Sequence, residues 1–215
     1  MALGKHYSAR MDPNASVRFF DTQFQRQLAG ADLQLNPFEQ AALPYLRGRV
    51  LDYGCGLGNL ALAAARRGCS VVALDASPAA IAHLREAARA GALPITATEA
   101  DLRSHELRGE FDTVVCIGLL MFFDCATAWA QLRALQAHLL PGGVAVINVL
   151  VEGTTYMDMF DPDGHCLFSP GELARRFEGW EIFHSKSDEF LAPNGQLKAF
   201  LTIVARKPLA SNGGA

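Results

Sequence analysis

The sequence predicts an α/β fold: a mostly parallel sheet of about seven strands, helices on both faces, and an antiparallel hairpin at the C-terminal end. Three observations carry that expectation. Short apolar strands alternate with Ala- and Leu-rich helical stretches between residues 50 and 151. The stretch FDTVVCIGL at residues 111–119 is apolar on both faces, as a buried central strand should be. Asn194-Gly195 joins two β-rich stretches, a strong hairpin signal.

Taken in order, residues 14–28 place Val17, Phe20, Phe24 and Leu28 at three- and four-residue intervals, which predicts an amphipathic helix. Residues 36–46 predict a second, with Asn36 as N-cap and Pro37 at the first helical position. VLDY (50–53) is the first strand, and NLALAAARR (59–67) is a helix closed by Gly68. SVVALD (70–75) is the second strand. Ser77 and Pro78 open a helix that ends at Gly91. Residues 95–101 are the third strand and 111–119 the fourth. A helix over 127–139 stops at Pro141-Gly142-Gly143, and 143–151 is the fifth strand. Residues 152–169 lack a period and read as an excursion over the sheet's end. Ser169-Pro170-Gly171-Glu172 predicts a capping box and a short helix closed at Gly179. Residues 180–190 and 197–207 form the hairpin. The expected organisation is one domain over 1–207, with a helical cap at 1–48, a core at 49–151, an insertion and hairpin at 152–207, and a flexible tail at 208–215.

Composition narrows the classes of function. Half of the 215 residues are hydrophobic and 19% are charged, as a globular domain requires. Lys+Arg 19 against Asp+Glu 22 gives no clustered basic excess, so no nucleic-acid partner is expected. No run approaches the roughly 18 apolar residues of a membrane helix, and MALGKHYSAR has no apolar stretch after its lysine, so neither a membrane partner nor a secretory leader is expected. The five cysteines, Cys55, Cys69, Cys116, Cys125 and Cys166, are odd in number and form no CxxC pair. They predict no disulfide framework and no metal site, and read mostly as small buried residues of a reduced, cytoplasmic protein.

The informative stretch runs from residue 50 to residue 77. A strand enters Gly54-Cys55-Gly56-Leu57-Gly58, and a helix follows. Such glycines let the chain turn sharply and let a ligand lie close to the backbone, while the helix start offers unpaired N–H groups. Asp75 closes the next strand, where an acid commonly binds ribose hydroxyls. A dinucleotide fingerprint would place glycine at residue 59; this chain has Asn59, its third glycine coming one residue early. Asp52 lies two residues before the first glycine. A carboxylate there is a poor neighbour for a pyrophosphate and suits an ammonium-bearing ligand. Cys55 reads as small filler, since nothing near it would activate a thiolate. Phe19, Phe20 and Phe24 read as core.

Asp52–Gly58 with Asp75 resembles the class I S-adenosylmethionine-dependent methyltransferases, over about residues 50–151 and again in the C-terminal hairpin. The resemblance implies a Rossmann-like methyltransferase fold with S-adenosylmethionine as cofactor. It implies that Gly54, Cys55, Gly56 and Gly58 pass under the methionine part and that Asp52 orients the ammonium end. Asp75, with Ala76 beside it, would hold the ribose; Asp101 would accept from the adenine amino group with Leu102 beside the ring. Cys116, Ile117 and Gly118 would line the reactive centre.

The chain after the fourth strand reads Cys116-Ile117-Gly118-Leu119-Leu120, without the N-P-P-Y or D-P-P-Y of DNA-adenine or amide-nitrogen enzymes. Two flanking stretches, FFDTQF through NPFE (19–39) and FSPGEL through the hairpin (168–207), are similar to the tellurite-resistance methyltransferases, which implies a small soft acceptor such as a tellurium or selenium oxyanion. The chain departs from that family at Glu189-Phe190, where a His-Arg pair stands, so a small organic thiol, oxygen or nitrogen acceptor stays open. Candidates for a base or an anion clamp are His165, His184, Arg175, Arg176, Lys186 and Lys198. Two other classes stay in view: a nicotinamide-dependent oxidoreductase and a catalytically silent cofactor-binding fold.

Overall fold

β1 (Arg49–Tyr53) lies at the middle of a seven-stranded sheet whose order is β3-β2-β1-β4-β5-β7-β6. The computed structural model describes residues 15–30, 33–161 and 164–210. β2 (Ser70–Asp75), β3 (Ile95–Glu99), β4 (Phe111–Ile117) and β5 (Leu139–Leu150) run parallel to β1. β7 (Leu197–Arg206) lies antiparallel to both β5 and β6 (Glu181–Leu191). This is the Rossmann-like, mostly parallel sheet that the alternating pattern predicts. Asn194 and Gly195 adopt positive φ, as the tight turn between β6 and β7 requires.

Helices cover both faces. α2 (Pro37–Ala42), α3 (Asn59–Arg66) and α4 (Pro78–Ala90) pack on the face carrying Val50, Val71, Val115 and Val146. α5 (Cys125–Ala137) and α6 (Pro170–Arg175) pack on the other, against Leu51, Val114, Ile147 and Ile203. α1 (Ala15–Ala29) lies beside α4 at the carboxyl ends of the strands. Among the described residues no helix is long and apolar enough to cross a membrane.

Several boundaries differ from expectation for local reasons. The expected helix over 36–46 is α-helical only to Ala42 and tightens to a 3₁₀ turn over Leu43–Tyr45. Pro44 has no N–H to continue an α-ladder. A complete capping box forms at Asn36 and Glu39, whose side chains each accept from the other's backbone N–H. The box expected at Ser169 is not made: Ser169 occupies the N-cap position, but its side chain makes no capping bond. α5 starts at Cys125 because Asp124 caps it through Thr127 N at 3.0 Å. The predicted fray of the tail falls largely on residues 211–215, outside the described residues.

The reading of the cysteines is corrected at two positions. Cys125 and Cys166 are joined by a disulfide, with 4.7 Å between their Cα atoms. Cys166 N donates to Met121 O, which brings the 152–169 excursion alongside the start of α5. Forty-one residues separate the partners, so nothing local in the sequence could have paired them. Cys55, Cys69 and Cys116 are unpaired and buried.

Candidate active site

The sheet order reverses direction between β1 and β4, and a ligand crevice is expected outside the strand ends at such a switch point. A cavity of about 430 Å³ opens there. Its floor is the 54–58 loop with Asp52, Asp75, Ile117 and Gly118; its walls come from α1, α2, Met121, Phe122 and Met159; its far end holds Asn148, Lys198 and Phe200. Residues of α1 and α2, with Met159 of the 152–169 excursion, thus line it.

The loop's shape follows from its glycines. Gly56 has φ +52°, and a Cβ there would stand 3.1 Å from the Phe24 ring. Gly58 has φ +76° and caps α3 without a side chain, and a Cβ there would meet Leu84 at 2.5 Å. Only glycine fits both demands at these two places. Phe20 and Phe24, read as core, are cavity walls; Phe20 also packs edge-on to Phe122 with centroids 4.9 Å apart.

Asp75 is held by two backbone donors: Gly56 N to Oδ2 and Ser77 N to Oδ1, both at 2.8 Å. Each oxygen keeps a further lone pair for a ligand donor. Burial raises its pKa, and those two N–H groups oppose the shift. Ser77 Oγ donates to Asp21 Oδ1 at 2.6 Å, tying α1 to the end of β2.

Asp52 is buried, and its Oδ2 has no partner among the described residues. Burial, helped by the charges of Glu39 and Asp75, pushes its pKa up to about 8. Glu39, on α2, lines the same cavity and is also raised, chiefly by burial. Three carboxylates therefore converge where Lys198 is the only cationic side chain on the wall among the described residues. That donor set fits a ligand carrying an ammonium group and a second positive centre.

The other sequence candidates fall into three groups. Gly54, Cys55, Gly56, Gly58, Ile117 and Gly118 line the cavity with Asp52 and Asp75, whereas Ala76 and the buried Cys116 do not. Burial pushes the Cys55 and Cys116 thiols up, so neither is a thiolate. Asp101 lies outside the cavity. Its carboxylate takes the Arg103 guanidinium through two bonds of 2.9 Å, which lowers its pKa, and it borders a separate 670 Å³ cavity with Leu51, Val72 and Phe111. Leu102 is buried in the core, its carbonyl accepting from Tyr53 Oη at 2.6 Å.

Of the base and clamp candidates, Lys198 alone reaches the cavity. Its ammonium sits 4.6 Å from the Tyr156 ring, and burial lowers its pKa. His165 stacks on Phe160. Arg175 and Arg176 are on exposed α6, Arg176 over Trp129. Lys186 pairs with Asp188 at 2.5 Å on β6, where His184 also lies. Glu39, Met121, Met159, Phe200 and Asn148 were missed. Asn148 had left a signal, as the one polar side chain in the otherwise apolar GVAVINVLV.

Residues 50–143 match a family described as methyltransferase domain. The chain is 30% identical over 170 residues to hemagglutinin 1 of Eikenella corrodens, covering 74% of this chain and 55% of that protein. It spans about half the length of the first curated relatives it matches. Among solved structures, TehB from Haemophilus influenzae superposes with a TM-score of 0.67 at 23% identity, over 79% of this chain and 61% of that one. A protein studied for conversion of a disulfide bond into a thioacetal group during echinomycin biosynthesis superposes with a TM-score of 0.61 at 28% identity, over 82% and 83%.

Fold and family match agree on a Rossmann-like sheet in which residues 50–143 match a methyltransferase domain. Its cofactor is S-adenosylmethionine, and related structures of this fold hold the demethylated product.

Proposed function

We propose that this protein transfers a methyl group from S-adenosylmethionine to a small, soft acceptor: a tellurium or selenium oxyanion in its singly charged form, or a thiol. The observation that carries the reading is the cavity at the switch point, acidic at its β1–β2 end and apolar with one ammonium at its β5–β7 end. When bound, S-adenosylmethionine supplies a methyl group on a sulfonium, which a nucleophile takes in a displacement that leaves a neutral thioether.

The chain's own residues bind, orient and exclude water. Asp52 and Glu39 face the ammonium end, and Asp75 keeps lone pairs for the ribose hydroxyls. Asp101 and Leu102 take the adenine role only if Asp101 exchanges Arg103 for the base. Phe20, Met121, Phe122, Met159 and Phe200 strip water from the acceptor, which makes a soft nucleophile more reactive. Lys198 meets its charge. One half-buried ammonium balances one negative charge, so a monoanion suits this end better than a dianion. The 28% identical protein tied to disulfide-to-thioacetal conversion favours sulfur as the soft atom. We place the reaction in the cytoplasm, where a thiol pool would set the state of the Cys125–Cys166 bond by exchange.

The test is calorimetric titration with S-adenosylmethionine, its demethylated product and NAD, followed by turnover with tellurite, selenite and small thiols. Binding of the first two and not of NAD, with turnover of one soft acceptor class, is the expected result. Binding without any turnover would favour the silent cofactor-binding fold. Lys198→Met should lower kcat/KM for an anionic acceptor by about 10–100-fold, the loss of one charge-assisted hydrogen bond, with cofactor affinity unchanged.

A further inference from the structure

Asn148 is fully buried on β5. Its Nδ2 donates to Thr202 Oγ1 at 2.9 Å, directly across the β5–β7 ladder. Its Oδ1 has no partner among the described residues, yet the residue lies on the cavity wall. A buried carbonyl oxygen left without a donor is unfavourable. An amide oxygen has two lone pairs and takes no proton, so this atom is built to receive a hydrogen bond and not to act as a base.

Position decides what donates to it. The residues placed under the cofactor stand at the ends of β1 and β2. β5 lies beyond β4, two strand spacings from β1, or about 10 Å across the sheet. Leu150, Lys198 and Phe200 share that end of the cavity. The donor belongs to the methyl acceptor.

We infer that Asn148 Oδ1 selects the acceptor: a small molecule carrying an O–H or N–H donor beside its soft nucleophilic atom. The inference rests on the methyl transfer proposed above. Thr202 is the positioning residue, because its hydroxyl accepts from the amide nitrogen and leaves the amide oxygen unpaired beside the cavity it lines. A fully deprotonated dianion offers Oδ1 only lone pairs and is repelled. A neutral or singly charged species that keeps one hydrogen can donate to Asn148 while Lys198 meets its charge.

The experiment compares mercaptoethanol with propanethiol, which differ by a hydroxyl in place of a methyl group. Binding is measured by calorimetry on protein saturated with S-adenosylhomocysteine, and turnover with S-adenosylmethionine. The parent should bind mercaptoethanol about tenfold more tightly and turn it over with a kcat/KM larger by a similar factor. Asn148→Leu should bring the two probes within about twofold of one another, with S-adenosylmethionine affinity at the parent value. Thr202→Val should narrow the preference without changing turnover of propanethiol. A parent that binds both probes alike or binds neither, or an Asn148→Leu variant that keeps the preference, overturns the inference. Preferential binding without turnover leaves Asn148's role standing and overturns the transfer reading. Equal turnover of both probes does the reverse.

Discussion

Asp52 should make cofactor affinity climb steeply with pH below about 8. The group is buried, its Oδ2 is unpartnered, and burial with the charges of Glu39 and Asp75 raises it from 3.8 to about 8. Each pH unit below that value costs about 1.4 kcal/mol of binding if the bound state needs the carboxylate ionised against an ammonium. At pH 8 half of Asp52 is already protonated, so from pH 8 to pH 6 the dissociation constant should rise by about 50-fold. Above pH 8 the ligand's own amino group, ordinarily near 7.7–8.0, loses its proton and affinity falls again. Stability of the ligand-free protein carries the opposite sign. A carboxyl raised in the folded state binds its proton more tightly there than in the unfolded chain. Stability is then highest below pH 3.8 and is lost as pH climbs to about 8. Asp52→Asn should flatten both profiles, its affinity staying low and keeping only the weaker slope of the ligand's amino group and of the other raised acids, Glu39 and Asp75. The assay is calorimetric titration of parent and variant at pH 6, 7 and 8. A parent constant that moves less than threefold, or an Asn variant that keeps the parent slope, would refute the reasoning.

Asp75→Ala should weaken S-adenosylmethionine binding by about 1.5–3 kcal/mol, the scale of hydrogen bonds to a charged group, read as a 10- to 150-fold rise in Kd by calorimetry. It should also lower the melting temperature, because Gly56 N and Ser77 N lose their acceptor. Gly56→Val should remove measurable cofactor binding and cost fold stability as well, since its Cβ meets Phe24 at 3.1 Å on a backbone of φ +52°; unchanged binding in a calorimetric titration would refute the cradle. Cys166→Ser should destabilise by about 4 kcal/mol, the chain-entropy value for opening a loop of this length, and lower the melting temperature by about 10 °C. Adding reductant to the parent should reproduce the shift, and a parent indifferent to reductant would contradict the bond.

What was legible in the sequence depended on how local its cause was. β1, β2 and β4 could be read because each is a short apolar run bounded by glycine or a cap, and the burial of those strands explains that run. β6 is exposed along most of both faces, so its side chains carry little pattern; the Asn194-Gly195 turn revealed it instead. The Asp52–Gly58 loop and Asp75 were legible because a sharp turn and a strand end restrict which residues can stand there. Asp101 shows the limit. Its position at the end of β3 followed from the pattern, but the direction of its carboxylate is set by Arg103, two residues on. The Cys125–Cys166 pair and the Asn148–Thr202 bond join residues 41 and 54 positions apart, and no window along the chain contains either.

The acidic end of the cavity also explains why the N-terminal helices belong to the site. Glu39 contributes a carboxylate from α2, held in place because its side chain closes the Asn36 capping box at 2.8 Å. Asp21 reaches Ser77, whose N–H holds Asp75. Each helix thus touches the cofactor half through one acid, and both acids lie near carboxylates of the parallel core. Burial first, and then the opposition of these charges, is why Asp52 keeps its proton near neutrality. A ligand bearing an ammonium and a sulfonium reverses the sign of that interaction. The acidic end thus suits the cofactor's positive groups, and the apolar far end is left for the acceptor.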